Sequence, residues 1–553
     1  MARPAARIGD ARDSIPPRGS RPLTLTLDRP TALPIVIEAH DRQQLEVQSA
    51  HPVTGASDDE RFDVELFLFI PRNVGVTAAN YPRDEFYGDL TTYLRVDLPA
   101  MSLDELVVGA ESPLVALGAQ VDAIRAGKSP VHRRDAARAA GKDTSLHAPT
   151  AVEVKLFGHT FTEAVRRRLD TLIGAVRALP DEPVARRWVL LDEVDRFAES
   201  GRAALAALRR AGRALEPFRV AVPSVLQTFR QTDEYSSLYL DGAFALLAQA
   251  TLSTPALFDG TGFVGRLRQT LARHARAEAE YRAARGYLNF AGGAAGATEY
   301  FAYRQSFLKK AVQQALYVDT RRLTTDRWLR NATGAVAASL AATWALVAQV
   351  PAQLSNLSPA AQTALVAMPV LAYAAKDRIK ELTREWLIRR FLAFDTNSEI
   401  SVGSLAEAGL GAFSGSVRER VNFIDLPAVD ADVRALRAAS HTVFGADLAS
   451  ECVLRYHRRL TMRTDKQALP QPGLSLRQIV RLNLRHFLTR LDEPQHPACH
   501  YAPGDDSFVQ VDVPKVYHLN LVARVKSERG VSSRRWRIIM NKDGIVRIET
   551  PAQ

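Results

Sequence analysis

The segment RFDVELFLFIP (Arg61–Pro71) is the clearest indication of fold in this chain. Its apolar side chains recur at every second position from Phe62 to Ile70, which is the period of a β-strand with one buried face. Pro71 then removes a backbone donor and favours the end of the strand. Shorter alternating segments precede it, so we predict that residues 23–98 form a β-rich segment.

The C-terminal part of the chain shows the same alternation. Four segments carry it, namely VQVDV, VYHLNLVARVK, RRWRIIMN and GIVRIET. The last three are separated by SERG and NKDG, which end in glycine and are typical of hairpin turns. We therefore predict a β-rich C-terminal region over 441–553, and we expect its strands at 505–550 to pack with those of residues 23–98.

Residues 99–330 are predicted to form a mainly helical cytoplasmic region. The strongest pattern is TFTEAVRRRLDTLIGAVRALP (Thr160–Pro180), in which the apolar residues follow one helical stripe. Thr160 and Glu163 have the spacing of a capping box, so we expect the helix to begin at Thr160 and to end at Pro180.

The overall composition is that of a folded protein with several structural units. The chain has 553 residues and a net charge of +11, which suits an anionic partner such as a membrane surface, nucleic acid or phosphorylated ligand. It contains two cysteines, which indicates a reducing compartment. Residues 1–22 are basic and rich in proline, lack the apolar core of a secretory signal, and are interpreted as a flexible tail. Arginine heavily outnumbers lysine and alanine is very common, which suggests a GC-rich bacterial genome.

A long interval without charge, 331–375, suggests a membrane-inserted hairpin. It has 45 residues, and one bilayer-spanning helix needs roughly 20. We predict two spans, Ala332–Val350 and Ser358–Ala375, joined by a short loop over 353–359. An alternative is a buried apolar helical hairpin in the core of a soluble protein.

The charges beside this interval predict its orientation. Arginine and lysine are frequent on both flanks and absent from the loop, so both flanks should face the cytoplasm. The prediction is therefore a bacterial inner-membrane protein with two spans and both termini in the cytoplasm. Small residues at 334, 338 and 342 allow close helix packing, so self-association through the hairpin is also expected. Residues 376–440 are predicted to be a helical juxtamembrane region. Its first part, KDRIKELTREWLIRRFLAF, would pair with EYFAYRQSFLKKAVQQALYV as an antiparallel stalk, and two ordinary core helices are the alternative.

These observations give an α+β fold class. β-rich N- and C-terminal parts flank a helical region, and a two-helix transmembrane hairpin interrupts the chain before the C-terminal part.

One candidate motif resembles a nucleotide hydrolysis site. WVLLDEVDRF (Trp188–Phe197) places Asp192 and Glu193 after four apolar residues, as in the strand whose first acid holds Mg²⁺. The phosphate-binding loop of such a site has the order G-x-x-x-x-G-K-[ST]. The nearest match, Gly127-Lys128-Ser129, has Asp122 where the first glycine is required. A plain helix or strand with acidic surface residues is the simpler explanation of Asp192 and Glu193.

Three further motifs are incomplete. HPACH supplies His496, Cys499 and His500, but a closed zinc site needs four ligands. Ser306 and Lys309 have Ser-x-x-Lys spacing without the companion motifs of that chemistry. The glycine-rich AGGAAG (291–296) lacks the order of a dinucleotide-binding loop. We predict no cofactor, no metal site and no clear nucleic-acid site, and the catalytic residues are unknown.

The expected function is that of a membrane-anchored cytoplasmic scaffold, sensor or regulatory protein. Its expected partners are the lipid bilayer and other proteins, or further copies of the chain. The alternative is a membrane-tethered enzyme that acts on a nucleotide or another phosphorylated substrate. A pore is the least favoured class, because the predicted spans carry no ionisable residue.

Overall fold

The computed structural model describes most of the chain outside the apolar interval. The described residues are 35–53, 59–126, 149–258, 260–290, 295–322, 334–344, 375, 378–383, 396–401, 413–438, 451–464, 473–504, 506–528 and 530–550. The predicted tail (1–22), the residues 127–129 and nearly all of the second predicted span lie outside them.

The strands of the described residues form three antiparallel sheets. They are β1 (Ile35–Ala39), β2 (Gln44–Pro52), β3 (Glu60–Pro71), β4 (Leu90–Asp97), β5 (Asp319–Arg322), β6 (Thr396–Ser401), β7 (Phe413–Ile424), β8 (Glu451–Thr464), β9 (Ser475–Asn483), β10 (Gln495–Ala502), β11 (Ser507–Pro514), β12 (Tyr517–Ser527), β13 (Gly530–Asn541) and β14 (Gly544–Glu549). The sheet orders are β1-β2-β9-β4, β10-β11 and β14-β13-β12-β3-β8-β7-β6-β5.

The strand predicted from RFDVELFLFIP lies at the centre of the eight-stranded sheet. β3 pairs with β8 on one side and with β12 on the other, with Leu68 opposite Leu521. The expected packing of N-terminal with C-terminal strands is therefore confirmed. The mixed α+β class, with sheets at both ends of the chain and a helical middle, is also confirmed.

β3 is buried on both faces, which its alternation alone does not indicate. Val64 and Leu68 belong to one apolar core, between this sheet and the four-stranded one. Phe67 and Phe69 point to the opposite face and pack with Val429. In a central strand that is covered on both faces, nearly all residues are apolar, as they are here from residue 66 to 70.

Long helices form most of the middle of the chain. The helices of the described residues include α1 (Arg83–Asp89), α2 (Leu103–Val108), α3 (Pro113–Arg125), α4 (Pro149–Ala178), α5 (Val184–Leu215), α6 (Pro223–Leu252), α7 (Phe263–Arg285), α8 (Ala295–Gln313), α9 (Gly334–Trp344), α10 (Ala431–Ala438) and α11 (Arg485–Leu488). Residues of α2 to α7 share one large apolar core.

The helix predicted at Thr160–Pro180 begins much earlier, and its predicted cap is wrong. α4 starts at Pro149 and ends at Ala178, just before Pro180. Thr160 is an interior position whose hydroxyl donates to the Leu156 carbonyl at 2.9 Å. Every residue from Thr150 to Thr162 is buried, the charged ones included. This half of the helix therefore has no exposed polar stripe and shows no amphipathic period in the sequence.

α4 joins the helical part to the four-stranded sheet. Val152 and Leu156 pack with Leu94 and Leu476 of that sheet. Phe157 and Phe161 point away from the sheet into the helical core. The helix therefore lies between the two layers.

The region 376–440, which we expect to be helical, is so only in part: its described residues are helical at 378–383 and in α10. It contains β6 and β7 of the eight-stranded sheet, with α10 near its end. The predicted stalk is also wrong, because α8 ends at Gln313 and β5 begins at Asp319, so that α8 does not continue into the apolar interval.

The described residues contain one stretch long and apolar enough to cross a membrane, Leu103–Arg125. It comprises α2 and α3, and 28% of its most apolar window is buried. This is weak support for membrane association. Within the first predicted span, the described residues form the short apolar helix α9.

Candidate functional site

Asp192 and Glu193 lie on a helix rather than at the end of a strand. Both belong to α5, where Asp192 pairs with Arg196 one turn later on the exposed surface. Glu193 pairs with Arg168 and with Arg186, at 3.4 and 3.1 Å. A Walker B carboxylate requires a strand and a neighbouring phosphate-binding loop, so this interpretation does not hold. Surface ion pairs explain both residues.

His496, Cys499 and His500 lie on the strand β10. In a strand, His496 and Cys499 point to opposite faces, and His496 is about 13 Å along the strand from His500. Among the described residues, no three or more histidine, cysteine, aspartate or glutamate side chains are grouped so that they could hold a metal ion. Ser306 and Lys309 lie on α8 with exposed side chains.

One candidate site is an open cleft of about 980 Å³ between the four-stranded sheet and the helices. Strands β4 and β9 form one wall, and α4, α6, α8 and the segment after α8 form the others. Its lining residues are Thr92, Tyr93, Leu94, Lys155, Ser224, Gln227, Thr228, Gln231, Phe307, Lys310, Ala311, Gln313, Gln314, Tyr317, Val318 and Arg481. Three of these are basic and none is acidic.

Lys155 is the most unusual residue of this basic cleft. Its side chain is only 6% exposed, and it belongs to the buried half of α4. Burial lowers the pKa of Lys155, and no described carboxylate pairs with it to offset that effect. An unpaired buried ammonium is costly, so a position that keeps one is a candidate for ligand binding.

Two further cations lie on other walls of the basic cleft. Lys310 projects from α8 and is exposed. Arg481 of β9 donates from Nε to Glu46 at 2.5 Å, so its charge is already shared. The uncompensated positive charge of the basic cleft therefore comes from Lys155 and Lys310, on different helices.

Close helix packing fixes the walls of the basic cleft. A Cβ atom on Gly158 would lie 2.7 Å from Thr232 Cγ2 of α6 and 2.9 Å from Val312 Cγ1 of α8. Glycine is thus required where α4 meets both helices. On the sheet side, the Val318 amide donates to the Leu94 carbonyl at 3.0 Å, which ties the segment after α8 to β4.

A second, smaller cavity lies elsewhere on the surface of α4. It has a volume of about 80 Å³ and is lined by Glu153, Ser112, Glu111 and several apolar residues. Glu153 is 3% exposed, and burial raises its pKa to about 8. Residues two apart on a helix point in different directions, so Glu153 and Lys155 line different cavities. Their charges therefore do not neutralise each other.

Lys155, Lys310 and Arg481 are not among the site residues predicted from the sequence. The available signal is PTAVEVKLFGHTF, where single charges at Glu153 and Lys155 interrupt an apolar run. Once this run is recognised as a buried helix, the two charges become exceptional. The contributions of α8 and β9 come from distant parts of the chain and carry no local signal.

No protein-family model, curated protein or solved structure matches this chain.

Proposed function

We propose that the protein is a membrane-anchored sensor or regulator whose soluble body binds an anionic small molecule in the basic cleft. The observation that carries this proposal is the buried and unpaired ammonium of Lys155 in a cleft lined by no acidic residue. A bound anion would supply the missing partner of that charge. The volume of about 980 Å³ suits a small-molecule ligand.

The position of the basic cleft along the chain supports a sensor rather than a scaffold. Phe307, Lys310, Tyr317 and Val318 line it. The chain then enters β5 at Asp319 and leads directly to the apolar interval. A ligand that contacts this segment therefore touches a part of the chain that leads directly into the proposed membrane anchor.

The pairing of β5 with β6 supports an out-and-back anchor. Arg322 lies opposite Ser398 in adjacent antiparallel strands, so the chain leaves and re-enters the sheet at neighbouring points. A hairpin of two spans, at 332–350 and 358–375, satisfies this constraint with both flanks in the cytoplasm. α9 also exposes Val336, Leu340 and Trp344, which hydrocarbon would cover.

Anion binding is tested by calorimetry on the full chain in detergent, with pyrophosphate as the probe at constant ionic strength. We expect Lys155→Met to weaken binding about 10-fold or more, because a charge-assisted contact at a buried site is lost. Lys309→Met is the matched control, since Lys309 is an exposed lysine of α8 that does not line the basic cleft. Equal binding by wild type and Lys155→Met, or none by wild type, contradicts the proposal.

The anchor is tested separately by fractionation and labelling. The full chain should remain in the membrane pellet after carbonate washing, and a chain lacking 331–375 should not. In intact cells an impermeant thiol reagent should label Ser355→Cys but not the native Cys499, which is exposed on the soluble body. Labelling of both cysteines, or of neither, contradicts the proposed orientation.

A membrane-tethered enzyme for a nucleotide or other phosphorylated substrate is the second candidate. The lowered pKa of Lys155, caused by burial, favours it, because such a lysine can donate or accept a proton near neutral pH more readily than an exposed one. Phosphate release that disappears in Lys155→Met would support catalysis. Binding of the phosphorylated compound without its turnover would favour the sensor over the enzyme.

A further inference from the structure

Three aromatic side chains line the basic cleft without being buried in a core. Tyr93, Phe307 and Tyr317 are 38%, 42% and 39% exposed. Large apolar rings left partly in water inside a concave site gain free energy when a ligand covers them. The ligand should therefore carry an apolar or flat part in addition to its negative charge.

The arrangement of two of these rings suits a planar group. Tyr93 and Tyr317 meet edge to face, with ring centroids 6.1 Å apart and an interplanar angle of 70°. Two nearly perpendicular rings form a corner in which a third ring can stack on one and place its edge against the other. The guanidinium of Arg481 lies over Tyr93, 5.3 Å from its centroid, and adds a planar cation beside this corner.

Amide side chains complete the lining. Gln227 and Gln231 come from α6, and Gln313 and Gln314 come from the end of α8 and the residue that follows it. Each amide offers both a donor and an acceptor, which is the chemistry that matches the polar edge of a nucleobase. Lys155 and Lys310 supply the charge for a phosphate.

We infer that the anionic ligand of the basic cleft is a nucleotide, with its base against Tyr93 and Tyr317 and its phosphate at Lys155 and Lys310. This inference rests on the proposed function, since it names the class of anion that the cleft takes. Phosphorylated ligands without a planar base would use only the lysines.

The test compares two probes that differ by the base alone. AMP and ribose 5-phosphate carry the same phosphate, and each is titrated into the full chain in detergent at constant ionic strength. Stacking of a base on an aromatic side chain is worth roughly 1–3 kcal/mol, so AMP should bind at least about 5-fold tighter. Tyr317→Leu should remove most of this difference and leave the affinity for ribose 5-phosphate unchanged.

A matched variant separates stacking from a general surface effect. Tyr303→Leu changes an exposed tyrosine of α8 that does not line the basic cleft, and it should leave both affinities unchanged. Equal affinity of the wild type for AMP and ribose 5-phosphate would overturn the nucleotide inference while anion binding stands. Failure of both probes and of pyrophosphate to bind would overturn the proposed function as well.

Discussion

Glu65 and Glu153 are both buried glutamates, and they lie in opposite electrostatic environments. Glu65 of β3 is 2% exposed; burial opposes its ionisation, but hydrogen bonds from Arg455 and Arg524 hold its pKa at about 2. Glu153 of α4 is 3% exposed and has no such partner, so burial raises its pKa to about 8. The buried carboxylate of the sheet is paired with arginine side chains, whereas the buried carboxylate of α4 has no such partner.

This difference separates a structural role from a candidate ligand-binding role. A paired carboxylate contributes to the stability of the sheet once it has been desolvated. Glu153 and Lys155 have no such partners, so their burial lowers the stability of the fold. Both lie on α4, the helix that lines both cavities. Four predictions test this contrast, in order of decreasing expected effect.

Loss of a buried partner in the sheet should be the most damaging change. Arg524 is 3% exposed and donates to Glu65 at 2.8 Å, so Arg524→Met should lower the free energy of unfolding by about 3–5 kcal/mol. Lys526→Met is the control, because Lys526 also lies near Glu65 but is substantially exposed, and it should cost less than about 1 kcal/mol. Urea unfolding measures both. Similar losses in the two variants would show that burial of the pair does not matter.

The two glutamates should give opposite dependences of stability on pH. Glu65 has a lowered pKa, so its contribution is present above pH 4.5 and is lost as the pH falls towards 2. Glu153 has a raised pKa, so its neutral form is favourable at low pH, and stability is lost as the pH rises from 4.5 through 8.

Glu153→Gln should remove the loss of stability that the wild type shows as the pH rises from 4.5 through 8. A shift of this size corresponds to on the order of 4 kcal/mol between pH 4 and pH 9, so the variant should become the more stable protein at high pH. Urea unfolding at several pH values measures the effect. Glu111→Gln, at an exposed glutamate of the same small cavity, should leave the slope as in wild type. A wild-type slope in Glu153→Gln would mean that Glu153 is not buried in solution.

Lys155→Met should stabilise the unliganded fold while it weakens anion binding about 10-fold or more. Removal of the unpaired ammonium relieves its desolvation cost, by about 1–3 kcal/mol, and methionine keeps most of the side-chain volume. The pKa of Lys155 is lowered, so wild-type stability should rise as the pH increases towards 10.5, and the gain in the variant should be greatest at lower pH. Thermal unfolding with and without pyrophosphate measures both effects. A variant that is less stable than wild type would indicate that Lys155 is structural.

Changes at the acidic pair of α5 should have the smallest effect. Asp192→Ala and Glu193→Ala remove surface ion pairs, which contribute little. The unfolding midpoint and the affinity for anions should not change measurably in either variant. A loss of nucleotide binding in either would restore the Walker B interpretation that the helix at this position argues against.

The strands were accessible to sequence analysis because their signals are local. Alternation from Phe62 to Ile70 predicts β3, and glycine-ended turns predict the hairpins from β12 to β14. The strands β6 and β7 lie within 376–440, for which the sequence predicts helix. β7 carries SVRERVNF, in which the buried Glu419 places a charge on the otherwise apolar face and so obscures the alternation, and the buried half of α4 has no period at all.

The sequence alone determines the location of the apolar interval, the positive charge of its flanks and the central strand of the largest sheet, because each depends on residues that are neighbours along the chain. The tertiary structure alone brings Lys155, Lys310 and Arg481 from three distant segments to one cleft, and places β5 beside β6 across that interval. A binding site depends on which faces of helices and strands meet. That depends on long-range packing, which no local pattern encodes.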